Sequence, residues 1–182
     1  MRLSQFAIVL AILLPAMSAD ARPLTSGESG SLGKAVSGYL AAIEKNDAKG
    51  IVGALPPRVI AVFAGATGME EKALTATLTE QTSAMLAGTT VRDVTADESA
   101  LDAEDADLAD GSKVTWVLIP TAFVSEVKGK ATRNEQPLLA VSEKGKWYFL
   151  RVDGKERRDL AAVAYPFLKD QTIPGAKVTP VP

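Results

Sequence analysis

Any chemistry in this chain has to be done without histidine and without cysteine, since neither occurs among its 182 residues. Ser-His-Asp hydrolysis, Cys-His proteolysis, His-ligated metal catalysis and thiolate-ligated zinc or iron–sulfur centres are therefore excluded. What remains for proton transfer is a carboxyl group raised in pKa by burial and helped by a tyrosine. Asp153, at the end of a late strand, and Tyr39, on the first helix, form the pair that best fits that chemistry. No Gly-rich phosphate loop, nucleophile elbow or metal signature accompanies them. The sequence thus assigns no catalytic residue and calls for no metal and no cofactor.

Two charged clusters invite a binding role. Asp93, Asp97, Glu98, Asp102, Glu104, Asp105, Asp107 and Asp110 crowd one segment. Ca²⁺ takes several such oxygens, but an EF-hand register that places Gly111 at its glycine position puts Val117 where the bidentate glutamate belongs. The segment reads instead as a charged edge strand. Lys155, Arg157 and Arg158 open the last helix; cations there oppose the helix dipole, so an acidic partner or plain solvation is expected. A third group is aromatic: Tyr39, Phe63, Trp116 and Tyr148 are the residues expected to line a ligand pocket, with Phe123 and Trp147 beside them in the list of large rings.

The elements that must position these side chains follow from periodicity. Leu138–Val152 holds two apolar runs around Lys144-Gly145-Lys146, the pattern of a β-hairpin. Before it, Leu32, Val36, Tyr39, Leu40 and Ile43 mark a helix over Ser31–Asn46. A short helix over Ala48–Leu55 and another opening at Pro57 follow. Thr67-Gly68-Met69-Glu70 has capping-box form and predicts a helix running to Leu86, with Gly88 as its C-cap. Val91 and Val94 suggest a short strand. Asp110-Gly111, Lys128-Gly129 and Lys144-Gly145 then divide an antiparallel meander with strands near 99–109, 113–127, 132–142 and 146–152. Pro120 marks an edge or a bulge, and Lys155–Leu168 reads as a final helix.

Helices first, then a long meander, is similar to the NTF2-like superfamily. The opening helix with Tyr39-Leu40-Ala41-Ala42-Ile43-Glu44-Lys45-Asn46-Asp47 resembles that superfamily's first helix, and Gly145-Lys146-Trp147-Tyr148-Phe149 its late strand. The resemblance spans residues 32–152. It implies an α+β fold in which N-terminal helices pack on a curved antiparallel sheet of four to five strands, a cone enclosing a pocket, with an extra C-terminal helix. It does not settle function, since such folds carry isomerases, dehydratases and pure binding modules. The histidine–aspartate pairs of several of those enzymes cannot exist here.

Arg2, the apolar run from Phe6 to Leu14 and the small residues Ala19 and Ala21 predict a signal peptide over residues 1–21. A flexible leader (22–30), one domain (31–168) and a Pro-rich tail (169–182) complete the expected organisation. The expected location is periplasmic or secreted, with no membrane anchor after cleavage. A net charge of −2 gives no reason to expect a nucleic-acid partner. The expectation is a non-catalytic binding module that holds a small apolar molecule or a protein partner. The alternatives are a histidine-independent isomerase or dehydratase using a carboxylate and tyrosine, and an envelope accessory protein that binds through a strand edge.

Overall fold

Two long strands form the axis of the molecule, whose computed structural model describes residues 21–182. The predicted signal peptide falls, up to Asp20, outside the described residues. Strands β4 (Lys113–Val127) and β5 (Lys130–Glu143) pair in continuous antiparallel register, from Val127 opposite Lys130 to Thr115 opposite Ser142. Lys128 and Gly129 both take positive φ, 50° and 75°, as a type I′ hairpin turn requires. Lys144 and Gly145 repeat the device at 51° and 78° and lead into β6 (Lys146–Arg151).

Each long strand is flanked by two short strands set end to end. On β4 these are β2 (Thr89–Ala96), opposite residues 121–127, and β3 (Asp102–Asp107), opposite residues 113–116. On β5 they are β6, opposite residues 138–143, and β7 (Lys177–Val181), opposite residues 131–135. A two-residue β1 (Arg22–Pro23) pairs with β3. The sheet therefore has seven strands along an open path, β1-β3-β4-β5-β6, with β2 and β7 attached to its two central strands. This corrects the NTF2-like expectation. A cone needs four or five strands curling round their helices, whereas here the sheet is larger, does not close, and has apolar packing on both faces.

Alternation along the strands builds those two faces. Val117, Ile119, Leu138, Ala140, Trp147 and Phe149 meet Leu32, Val36 and Tyr39 of α1 (Ser26–Glu44). Trp116, Leu139, Val141 and Val152 face the other way. They meet Val59 of α3 (Pro57–Thr67), Ala161 and Ala164 of α5 (Lys155–Ala164), and Tyr165 and Leu168 beyond it. Helices α2 (Ala48–Gly53) and α4 (Glu71–Leu86) pack beside α1 and α3. The edge of β6 is not left open, because the Phe149 N–H donates to the Ala54 carbonyl at 2.8 Å where α2 ends.

Several boundaries differ from the periodicity reading, each for a local reason. Helix α1 starts at Ser26, five residues ahead of the expected Ser31, because Thr25 and Glu28 form a capping box. Residues 22–30, expected as a flexible leader, contain β1 and the opening of α1. Thr67 is no cap: α3 runs through it to a left-handed Gly68, and the Thr67 hydroxyl donates to the Phe63 carbonyl at 2.8 Å. The tail supplies β7. Pro120 lies in a central strand opposite Pro137. Both prolines stand where the flanking short strands change over, β3 to β2 on one side and β6 to β7 on the other, so no ladder donor is missed there.

Candidate functional site

The feature with most chemical content is built from the ends of four elements. Helix α5 stops at Ala164 because Pro166 follows, and the residue before a proline is driven out of the helical region. Tyr165 accordingly takes φ −129° and ψ 83°, and a 3₁₀ turn, Pro166–Asp170, comes next. That break turns the Tyr165 ring inward, where it is fully buried. Its ring packs against Phe167, which in turn stacks on Trp116 at 5.3 Å. The hydroxyl donates to Oε1 of Glu143, the last residue of β5. Burial first, and the hydrogen bond to Glu143 second, push the phenol far above its usual value of 10, so it stays protonated.

Glu143 opens into a cleft of about 340 Å³ whose other walls include Arg58, Glu71, Asp110, Ser112 and Lys144. Arg58 sits in the first turn of α3. Its Nη2 donates to Asp110 Oδ2 at 2.6 Å and to Ser112 Oγ at 3.2 Å. Asp110 is held by the turn it starts, since both the N–H and the hydroxyl of Ser112 donate to its Oδ1. The Ser112 hydroxyl first, then Arg58 and the Ser112 N–H, hold the Asp110 carboxyl well below its usual range. Arg58 is raised in turn, chiefly by the Asp110 hydrogen bond. Its Nε is buried and has no hydrogen-bond partner among the described residues. A cation fixed in place in the same cleft as a carboxylate held by a buried phenol is an arrangement that can bind a polar ligand and move a proton.

The four residues expected to line one pocket divide between two places. Trp116 and Tyr148 lie on the Tyr165 side: Trp116 is core, and Tyr148 is half-buried, with Lys146 Nζ 4.9 Å from its ring centroid. Tyr39 and Phe63 line a separate, mostly apolar cavity of about 270 Å³ with Ile51, Leu78 and Phe149. Tyr39 stacks on Phe149 at 4.9 Å, and burial raises its phenol. Asp153, paired with Tyr39 in the sequence reading, is instead neutralised by two guanidiniums, Arg151 at 3.1 Å and Arg157 at 2.8 Å. The expected basic cluster thus has its acidic partner, and Lys155 pairs with Asp159 at 2.6 Å.

Much of the acidic segment is taken up by ion pairs and hydrogen bonds. Asp105 takes Arg22 at 2.8 Å and the Thr115 hydroxyl at 2.6 Å, and Asp107 takes Lys113 at 3.4 Å. Among the described residues, no group of three or more carboxylates is placed to hold a metal ion. A further concavity of about 770 Å³ lies over Pro120, Pro137 and Pro174. Its charged rim residues Arg133, Glu135 and Lys177 pair with one another.

Sequence periodicity runs the last helix through to Leu168 and so does not single out Tyr165 or Glu143. The Tyr165-Pro166 dipeptide is the signal that marks the break. No protein-family model, no curated protein and no solved structure matches the chain. No helix among the described residues is long and apolar enough to cross a membrane.

Proposed function

We propose that the cleft at Glu143 is a proton-transfer site and that the protein is a small histidine-independent enzyme of the isomerase or dehydratase type. The observation that carries this reading is the buried Tyr165 hydroxyl donating to one oxygen of a cleft carboxylate. In it, Glu143 is the base, and its other oxygen faces the substrate. Tyr165 is a positioning residue, since its burial keeps it from the substrate. Arg58 supplies positive charge for an oxygen that becomes anionic as a proton leaves the neighbouring carbon. A small carbonyl compound or hydroxy acid suits the size of the cleft. The test is proton exchange in D₂O, followed by NMR across a panel of small ketones, aldehydes and hydroxy acids. The wild type should wash out the α-proton of at least one panel member, and E143Q should slow that by about a hundredfold or more. No exchange anywhere in the panel, or equal exchange by both proteins, would remove the proposal.

A second reading, a non-catalytic binding module, is favoured by the separate apolar cavity that brings Tyr39 and Phe63 together. Both readings include export. The n-region, h-region and small-residue site support it, and an intact mass starting at Arg22 in protein recovered from the periplasm or medium is the check.

A further inference from the structure

The cavity beside Tyr39 is not uniformly apolar. Its wall is made by Ile51, Leu55, Phe63, Leu78 and Phe149, but Arg151 and Arg157 stand in its lining too. These two guanidiniums share one carboxylate, Asp153, whose side chain is 9% exposed, while their own are 42% and 51% exposed. Two positive charges against one negative leave an excess cation at the edge of a greasy hole. Tyr39, whose side chain is largely buried, also lines the cavity, and its hydroxyl can donate to a ligand there. At about 270 Å³ the cavity is just below the ~300–1,000 Å³ usual for drug-sized ligands, so its occupant is short.

We infer that this cavity binds a short-chain acyl carboxylate, with the chain against Phe63, Leu78 and Phe149 and the carboxylate at Arg151, Arg157 and the Tyr39 hydroxyl. The charge pattern decides the ligand class. A neutral apolar molecule would gain nothing from the guanidinium excess or the phenol, and a cationic amphiphile would meet repulsion. The inference deepens the binding-module reading and is independent of the Glu143 cleft.

Calorimetric titration of the mature protein with octanoate, octanol and octylamine tests both levels. Octanoate should bind at least tenfold more tightly than octanol, and octylamine more weakly still. R157Q, which leaves the Arg151–Asp153 pair intact, should cut octanoate affinity about tenfold and leave octanol unchanged. T82W, directed at the half-buried cavity wall, should weaken both. Octanol binding as well as octanoate, or R157Q changing neither, would overturn the carboxylate assignment while the apolar-ligand reading stood. Failure of all three ligands to bind would overturn both.

Discussion

Tyr165 is the side chain on which the site depends, and its role divides into a structural and a chemical part. Replacing it by phenylalanine keeps the ring that packs near Phe167 and Leu168 but removes the hydroxyl. A hydrogen bond to a carboxylate in a partly buried setting contributes about 1–2 kcal/mol, so Y165F should be less stable by that amount in urea denaturation. Its chemical effect should exceed what stability explains, because Glu143 loses the donor that orients it. The raised Tyr165 phenol also has a pH consequence. Its protonated form is favoured by folding, so this contribution is present below the ordinary tyrosine value of 10 and is lost as the pH climbs beyond it. Urea titrations of wild type and Y165F should therefore converge above pH 10. Glu28 acts with the opposite sign. The Arg22 hydrogen bonds lower it from 4.5 to about 2, so its contribution is present above 4.5 and fades as the pH falls from there towards 2. Both partners are partly exposed, which keeps that contribution to roughly 1 kcal/mol or less.

Among the elements, the ends of the chain give the sharpest expectations. Thr25 caps α1 through its side chain, and T25A should cost about 1 kcal/mol in chemical denaturation. Strand β7 covers the edge of β5 at residues 131–135, and its own exposed Pro180 and Lys177 make a poor template for a further strand. Truncation after Ala176 should therefore leave a folded protein that self-associates, seen as a concentration-dependent mass in light scattering; a strictly monomeric truncate would show that β7 does not protect that edge. These ends were also the least legible in the sequence. The meander and its glycine turns could be read, because alternation and positive-φ dipeptides are local signals. Thr25 to Gly30 carry no apolar stripe, so the helix they open was hidden although Thr25 and Glu28 stand at capping-box spacing. Lys177–Val181 has too few residues to show alternation, and only its pairing with β5 makes it a strand.

At the scale of the whole molecule, what the sequence could not show is how the two sheet faces share the work. Strand alternation puts Trp147 and Phe149 on one face and Tyr148 and Leu150 on the other, but nothing local says that each face receives its own helices. One aromatic-lined pocket became two sites for that reason. Tyr39 joins a cavity at the β6 edge, and Trp116 is core behind Tyr165. The long hairpin ties the two together. Leu139 at its centre is fully buried, and L139A should cost about 2–5 kcal/mol and lower the melting temperature of the whole domain in a single transition. The proton-transfer role of the cleft is decided by α-proton exchange by wild type, Y165F and E143Q on the most responsive member of the carbonyl panel. The account predicts exchange by the wild type, partial loss in Y165F and loss by about a hundredfold or more in E143Q, with all three proteins folded. Exchange that survives intact in E143Q would contradict it, because no other group in the account could then be carrying the proton.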